Sequence, residues 1–81
     1  MRFYFTAHFA ARYRRLSPRA KTQTDKALGF LLRDLRHPSL HAKKYDETRG
    51  IWQVRVTKTY RLYFLIEGEA YVLLDVKTHP K

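Results

Sequence analysis

The chain has 81 residues, of which 17 are Lys or Arg and 7 are Asp or Glu; its formal net charge is +10, and it has no cysteine. That length holds one domain, 1–81, and leaves no room for a second; without cysteine there is neither a disulfide framework nor a thiolate metal site. So basic a domain attracts polyanions, nucleic acid first among them. Residues 1–5 lack the apolar run of a signal peptide or membrane span, so a cytoplasmic protein is expected.

Residues 2–5 read as a short aromatic strand. Thr6 follows as a helix cap, since its hydroxyl can accept from a free backbone N–H. Phe9, Tyr13 and Leu16 then recur at helical spacing, with Arg12, Arg14 and Arg15 on the wetter sides. Ser17-Pro18 closes this helix and starts the next, because proline at a first helical position behind a serine cap loses no hydrogen bond. Ala20, Thr24, Ala27, Leu28, Leu31, Leu32 and Leu35 form the apolar stripe of the second helix. It is expected to run to Pro38, which pushes His37 out of the helical region. The break between the helices is short, so they should form an antiparallel hairpin on one face of a sheet. His8, His37 and His41 read as surface or capping residues. Residues 38–40 are a connector, 41–45 run into a strand, and 46–50 form a polar loop.

The next two strands carry the clearest pattern. Side chains alternate faces along a strand, so Trp52, Val54 and Val56 share one face with Leu62, Phe64 and Ile66. Gln53, Arg55, Arg61 and Tyr63 take the other. The turn between them is 57–59. Gly68 marks the next turn, and 70–79 is the last strand. A two-residue loop at 68–69 would set Leu62 against Asp75. A three-residue loop, 67–69, instead aligns the core face with Val72, Leu74 and Val76, and burial selects it. The opposite face then collects Arg55, Arg61, Tyr63, Tyr71, Asp75, Lys77 and His79.

The order strand, two helices, three-stranded meander carries a resemblance. So do Pro38-Ser39-Leu40 followed by Lys43-Lys44, the Trp52-x-Val54-Arg55-Val56 strand, Tyr60-Arg61-Leu62-Tyr63-Phe64, and Val76-Lys77-Thr78-His79. Together they resemble the RelE/ParE superfamily of bacterial toxins over essentially the whole chain. The resemblance implies an α+β fold: a small antiparallel sheet of about four strands in β-α-α-β-β-β order, with a two-helix hairpin on one face. It implies a toxin held inactive by a cognate antitoxin protein. Many RelE-like members cut translated messenger RNA on the ribosome, whereas ParE-like members poison DNA gyrase. Arg61 matches the strand arginine that RelE-type nucleases use at the scissile phosphate. Arg55 matches a position of Lys or Arg, and His79 a position of catalytic arginine or histidine. The chain departs from the pattern at Gln53, where RelE has a second catalytic lysine. It departs again near Ala42, where the YoeB branch has glutamate, and at Pro80, where that branch ends in tyrosine.

The residues suit a metal-free route, with no cofactor. Arg61 and Arg55 offer paired donors to a phosphate in a pentacoordinate transition state. His79 suits proton transfer near neutral pH. Lys43, Lys44, Arg49, Gln53, Lys58 and Lys77 border this face as contacts for RNA, and Tyr63 could stack on a base or donate a hydrogen bond. The leading expectation is a ribosome-dependent, metal-independent endoribonuclease, monomeric when free of its antitoxin. A gyrase-inhibiting toxin without nuclease activity, and a decayed RNA-binding toxin, stay open.

Overall fold

The computed structural model describes residues 1–78. Its elements are β1 (Arg2–Phe5), α1 (Ala7–Arg14), α2 (Pro18–Arg33), a 3-10 turn (Pro38–Leu40), β2 (Lys43–Asp46), β3 (Ile51–Arg55), β4 (Tyr60–Glu67) and β5 (Ala70–Thr78). The five strands form one sheet in the order β1-β5-β4-β3-β2. The β2–β5 part is antiparallel, and β1 joins β5 in parallel. The expected α+β fold is therefore present, with the 41–45 segment supplying the additional strand β2.

Thr6 does two things with one hydroxyl. Its oxygen accepts from Phe9 N at 3.1 Å, capping α1, and donates to Leu73 O at 2.7 Å, tying that cap to β5. Such a cap contributes about 1 kcal/mol. As a result α1 continues beside β5 where β1 stops, and Phe9 enters the core. Ser17 caps α2 in the same way, accepting from Ala20 N at 3.1 Å, and Pro18 opens the helix. The far end of α2 comes earlier than Pro38. Asp34 is already extended (φ −165°, ψ 108°), and its carboxylate accepts from Arg36 N at 2.9 Å. An aspartate that hydrogen-bonds the backbone two residues on offers the chain a turn in place of another helical bond.

The core lies between α2 and one face of the sheet. Val54, Leu62, Phe64, Leu73 and Val76 meet Ala27, Leu28 and Leu31, with Leu40 of the 3-10 turn closing one end. Trp52 and Val56 pack on its margin, while Leu32 stays exposed.

The β4–β5 register corrects the expected one. The loop has two residues, so Glu67 pairs with Ala70, Ile66 with Tyr71 and Phe64 with Leu73. Gly68, at φ +57°, takes the first loop position, which favours glycine. Between Tyr63 and Phe64 the pairing then shifts, and Leu74 is the extra residue of a β-bulge. Beyond it, Leu62 pairs with Val76, Tyr63 with Asp75 and Arg61 with Lys77. The tight turn and the burial of Val76 are both satisfied, at the expense of one unpaired residue. Consequently Tyr71 belongs to the core, at 5% exposure, and not to the arginine face. Leu73, in place of Val72 and Leu74, fills the core position opposite Phe64.

Candidate nucleic-acid interface

The sheet face turned away from α2 carries two rows of paired residues. Lys43, Gln53, Tyr63 and Asp75 face one another across β2, β3, β4 and β5. Arg55, Arg61 and Lys77 do the same across β3, β4 and β5. Like charges directly opposite on a sheet are destabilising, and this row places three cations side by side.

Arg61 is held by its own turn. Its Nη1 donates to Thr57 O at 2.7 Å, to Tyr60 O at 3.1 Å and to Lys58 O at 3.3 Å. The turn is itself braced by the Thr57 hydroxyl, which accepts from the backbone N–H groups of Thr59 and Tyr60. The guanidinium is thus positioned before any ligand arrives. Arg61, Arg55, Lys43 and Gln53 line one cleft of about 310 Å³, and His41 completes it.

His41, expected as a surface or capping residue, is indeed exposed and caps the C-terminal end of the 3-10 turn, and it also lines this cleft, which the sequence did not signal. It has φ 47° and ψ 47°, the one non-glycine residue at positive φ among those described. The left-handed region costs a side-chain-bearing residue about 1–2 kcal/mol, although histidine visits it more than most. No side-chain pattern signals that backbone state. The one local sign is its place between the 3-10 turn at Pro38–Leu40 and Lys43 of β2, where the chain changes direction. His37 does act as a cap: its Nδ1 accepts from Ser39 N at 3.2 Å.

The other expected residues are distributed differently. Lys43 and Gln53 are in the cleft. Lys44 points to the far side, its Nζ 5.2 Å from the Trp52 ring centre. Arg49 pairs with Asp46 at 3.7 Å in the β2–β3 turn. Lys58 is exposed at the β3–β4 turn, beside the Arg61 tether. Lys77 lies 5.3 Å over the Tyr63 ring and 4.0 Å from Asp75. Tyr63 is only 4% exposed, with the edge-on ring of Tyr45 4.9 Å away. Burial is the main cause that pushes its phenol pKa above the usual value, followed by Tyr45; Arg61 opposes the rise. A ring so covered cannot serve as a stacking platform for a base, which corrects that expectation. His79 lies outside the described residues.

Asp75 closes the α1 side of this face. Its carboxylate accepts from Arg12 Nε at 3.1 Å and stands 3.3 Å from His8 Nε2. Together with Lys77, this surrounds the carboxylate with basic groups, so it cancels little of the charge of the cleft.

No protein-family model matches the chain, and no curated protein sequence does. Solved structures match over nearly the full length. The YoeB/ParE toxin of Agrobacterium tumefaciens has a TM-score of 0.82 at 15% identity, covering 99% of this chain and 100% of its own. The archaeal RelE–RelB complex of Pyrococcus horikoshii gives 0.77 at 12% identity, covering 95% and 92%. The RelBE2 toxin–antitoxin complex of Mycobacterium tuberculosis gives 0.74 at 29% identity, covering 95% of each chain. The first two establish the fold. The third adds 29% identity over the same span, and together the three support a toxin fold of the RelE/ParE superfamily.

Proposed function

We propose that this chain is the toxin of a type II toxin–antitoxin pair and that its arginine face binds and cleaves messenger RNA on the ribosome. The observation that carries the reading is the row Arg55–Arg61–Lys77 beside the cleft with Lys43. These opposed cations disfavour folding, and a phosphate diester would neutralise them. Arg61 Nε and Nη2 make no hydrogen bond among the described residues, so they remain for a phosphate while Nη1 holds the turn. Fixed donors at a developing phosphorane charge stabilise it without reorganisation. A cleft lined by three cations repels a divalent metal ion, which favours a metal-independent 2′-hydroxyl attack.

The solved relatives include complexes of RelE with RelB and of YoeB with YefM. The corresponding antitoxin for this chain would cover exposed Tyr4, Phe5 and Leu32 with apolar side chains and bring acidic residues to the basic surface.

The test is 3′-end mapping of a message translated in vitro with the native protein, Arg55→Ala and Arg61→Ala. Cuts within codons that appear only during translation, and that fall about 10²–10³-fold in the variants, are expected. A folded native protein that makes no cuts but blocks gyrase supercoiling would overturn the ribonuclease reading.

A further inference from the structure

Among the described residues, five line the cleft, and four of them cannot accept a proton. Arg55 and Arg61 carry guanidinium groups, and Lys43 an ammonium, all donors without an acceptor in their charged form. Gln53 offers an amide, which is no base in water. His41 is the one remaining wall of the same cleft, and imidazole accepts protons near neutral pH. It is also the described non-glycine residue held at positive φ, and backbone strain of this kind collects where a side chain must be aimed.

His41 stands between two clefts. The second, of about 320 Å³, is lined by Leu35, Arg36, His37, Pro38, Ala42, Trp52 and His41 itself. The titratable and charged groups around it are therefore Lys43 from β2, Arg55 from β3, Arg61 from β4, and Arg36 and His37 from the segment after α2. Among the described residues, no carboxylate lines either cleft. The residue is exposed, so a proton taken from the reaction can pass to water.

Resting on the ribonuclease reading, we propose that His41 is the general base of the cleavage step. Its neutral imidazole takes the proton from the 2′-hydroxyl next to the phosphate held by Arg55 and Arg61. The 2′-oxygen forms its bond to phosphorus, the bond from phosphorus to the 5′-oxygen breaks, and the departing oxygen takes a proton from water. The products are a 2′,3′-cyclic phosphate and a 5′-hydroxyl end. The imidazolium then returns its proton to solvent.

The test uses His41→Gly and His41→Asn, two residues that occupy the left-handed region readily. Single-turnover cleavage of a short message on programmed ribosomes is measured with native protein, both variants and Arg61→Ala, alongside thermal midpoints. A second message carries sulfur in place of the leaving 5′-oxygen, which departs without being protonated. The expected result is a loss of about 10²–10⁴-fold in maximal rate in both variants. The half-saturating concentration should stay near native, the His41→Gly midpoint should be no lower, and the sulfur substrate should not restore the rate. If both variants cleave at the native rate while Arg61→Ala is inactive, the site stands and the proposal falls. If the sulfur substrate restores the variants, His41 protonates the leaving group, and the base assignment is overturned. A loss tracked by lowered midpoints in both variants would make its role structural, and would also overturn it. If the native protein is folded and silent, the proposal falls together with the ribonuclease reading.

Discussion

Arg61 anchors its own turn, and the proposed phosphate contact adds a second role that separates from the first by substitution. Arg61→Ala removes a donor to three turn carbonyls, so it should cost about 1 kcal/mol in chemical denaturation as well as most of the cleavage rate. Arg61→Lys keeps the charge but not the planar fork, so cleavage should remain well below native even if stability recovers. Tyr63→Phe is the opposite case: its ring is covered, so RNA affinity in a filter-binding assay should be unchanged. Arg55 and Arg61 were legible in the sequence because strand alternation places them opposite the apolar face. The left-handed backbone at His41, which brings it to the cleft wall, was not legible, because a backbone angle leaves no trace in side-chain periodicity. Tyr63 was assigned to the correct face, but nothing in side-chain alternation warned that Tyr45, from edge strand β2 on the far side of β3, would cover it.

Strands β4 and β5 show how one residue reconciles two demands. The two-residue turn at Gly68 and the burial of Val76 require registers one residue apart, and Leu74 absorbs the difference. Deleting Leu74 should therefore regularise β5 while Leu62 still meets Val76 and Tyr63 still meets Asp75; the variant should fold with a reduced midpoint. Deleting Val76 should set Lys77 or Asp75 against Leu62 in the core, with a loss of at least about 3 kcal/mol from an uncompensated buried charge. Urea denaturation of the two deletions distinguishes the cases. Alternation revealed the core face of β3 and β4, but a bulge is a backbone choice between competing registers, and alternation alone selected the wrong loop. The helix starts at Thr6 and Ser17 were legible because caps are local. The end of α2 was missed because Asp34, and not the more conspicuous Pro38, turns the chain.

At the scale of the whole molecule, the charge of +10 is spread over helices and sheet, and Lys43, Arg55 and Arg61 bring three of its cations into one cleft. If Lys43, Arg55 and Arg61 each neutralise one phosphate, the logarithm of the RNA affinity should fall with the logarithm of salt at a slope of about −2 or steeper. Each single Ala substitution should flatten it by about 0.7, measured by fluorescence anisotropy with single-stranded RNA. Stability has its own pH limit. Burial first of all raises the phenol pKa values of Tyr63 and Tyr71, and a hydrogen bond to Asp25 raises that of Tyr13. A folded pKa above the unfolded value of about 10 means full stability below that pH and loss as pH rises toward the folded value. The urea midpoint should therefore decline from about pH 10 upward, and Tyr71→Phe should shrink that decline.

The tether of Arg61 has a consequence for sequence drift. All three of its acceptors are main-chain carbonyls, at Thr57, Lys58 and Tyr60. Every amino acid supplies that carbonyl, so the identity of Lys58 can change without disturbing the anchorage, whereas adding or removing one residue in the turn would carry the acceptors away. Homologous chains that keep an anchored arginine should thus be permissive in the spelling of this turn and strict in its length.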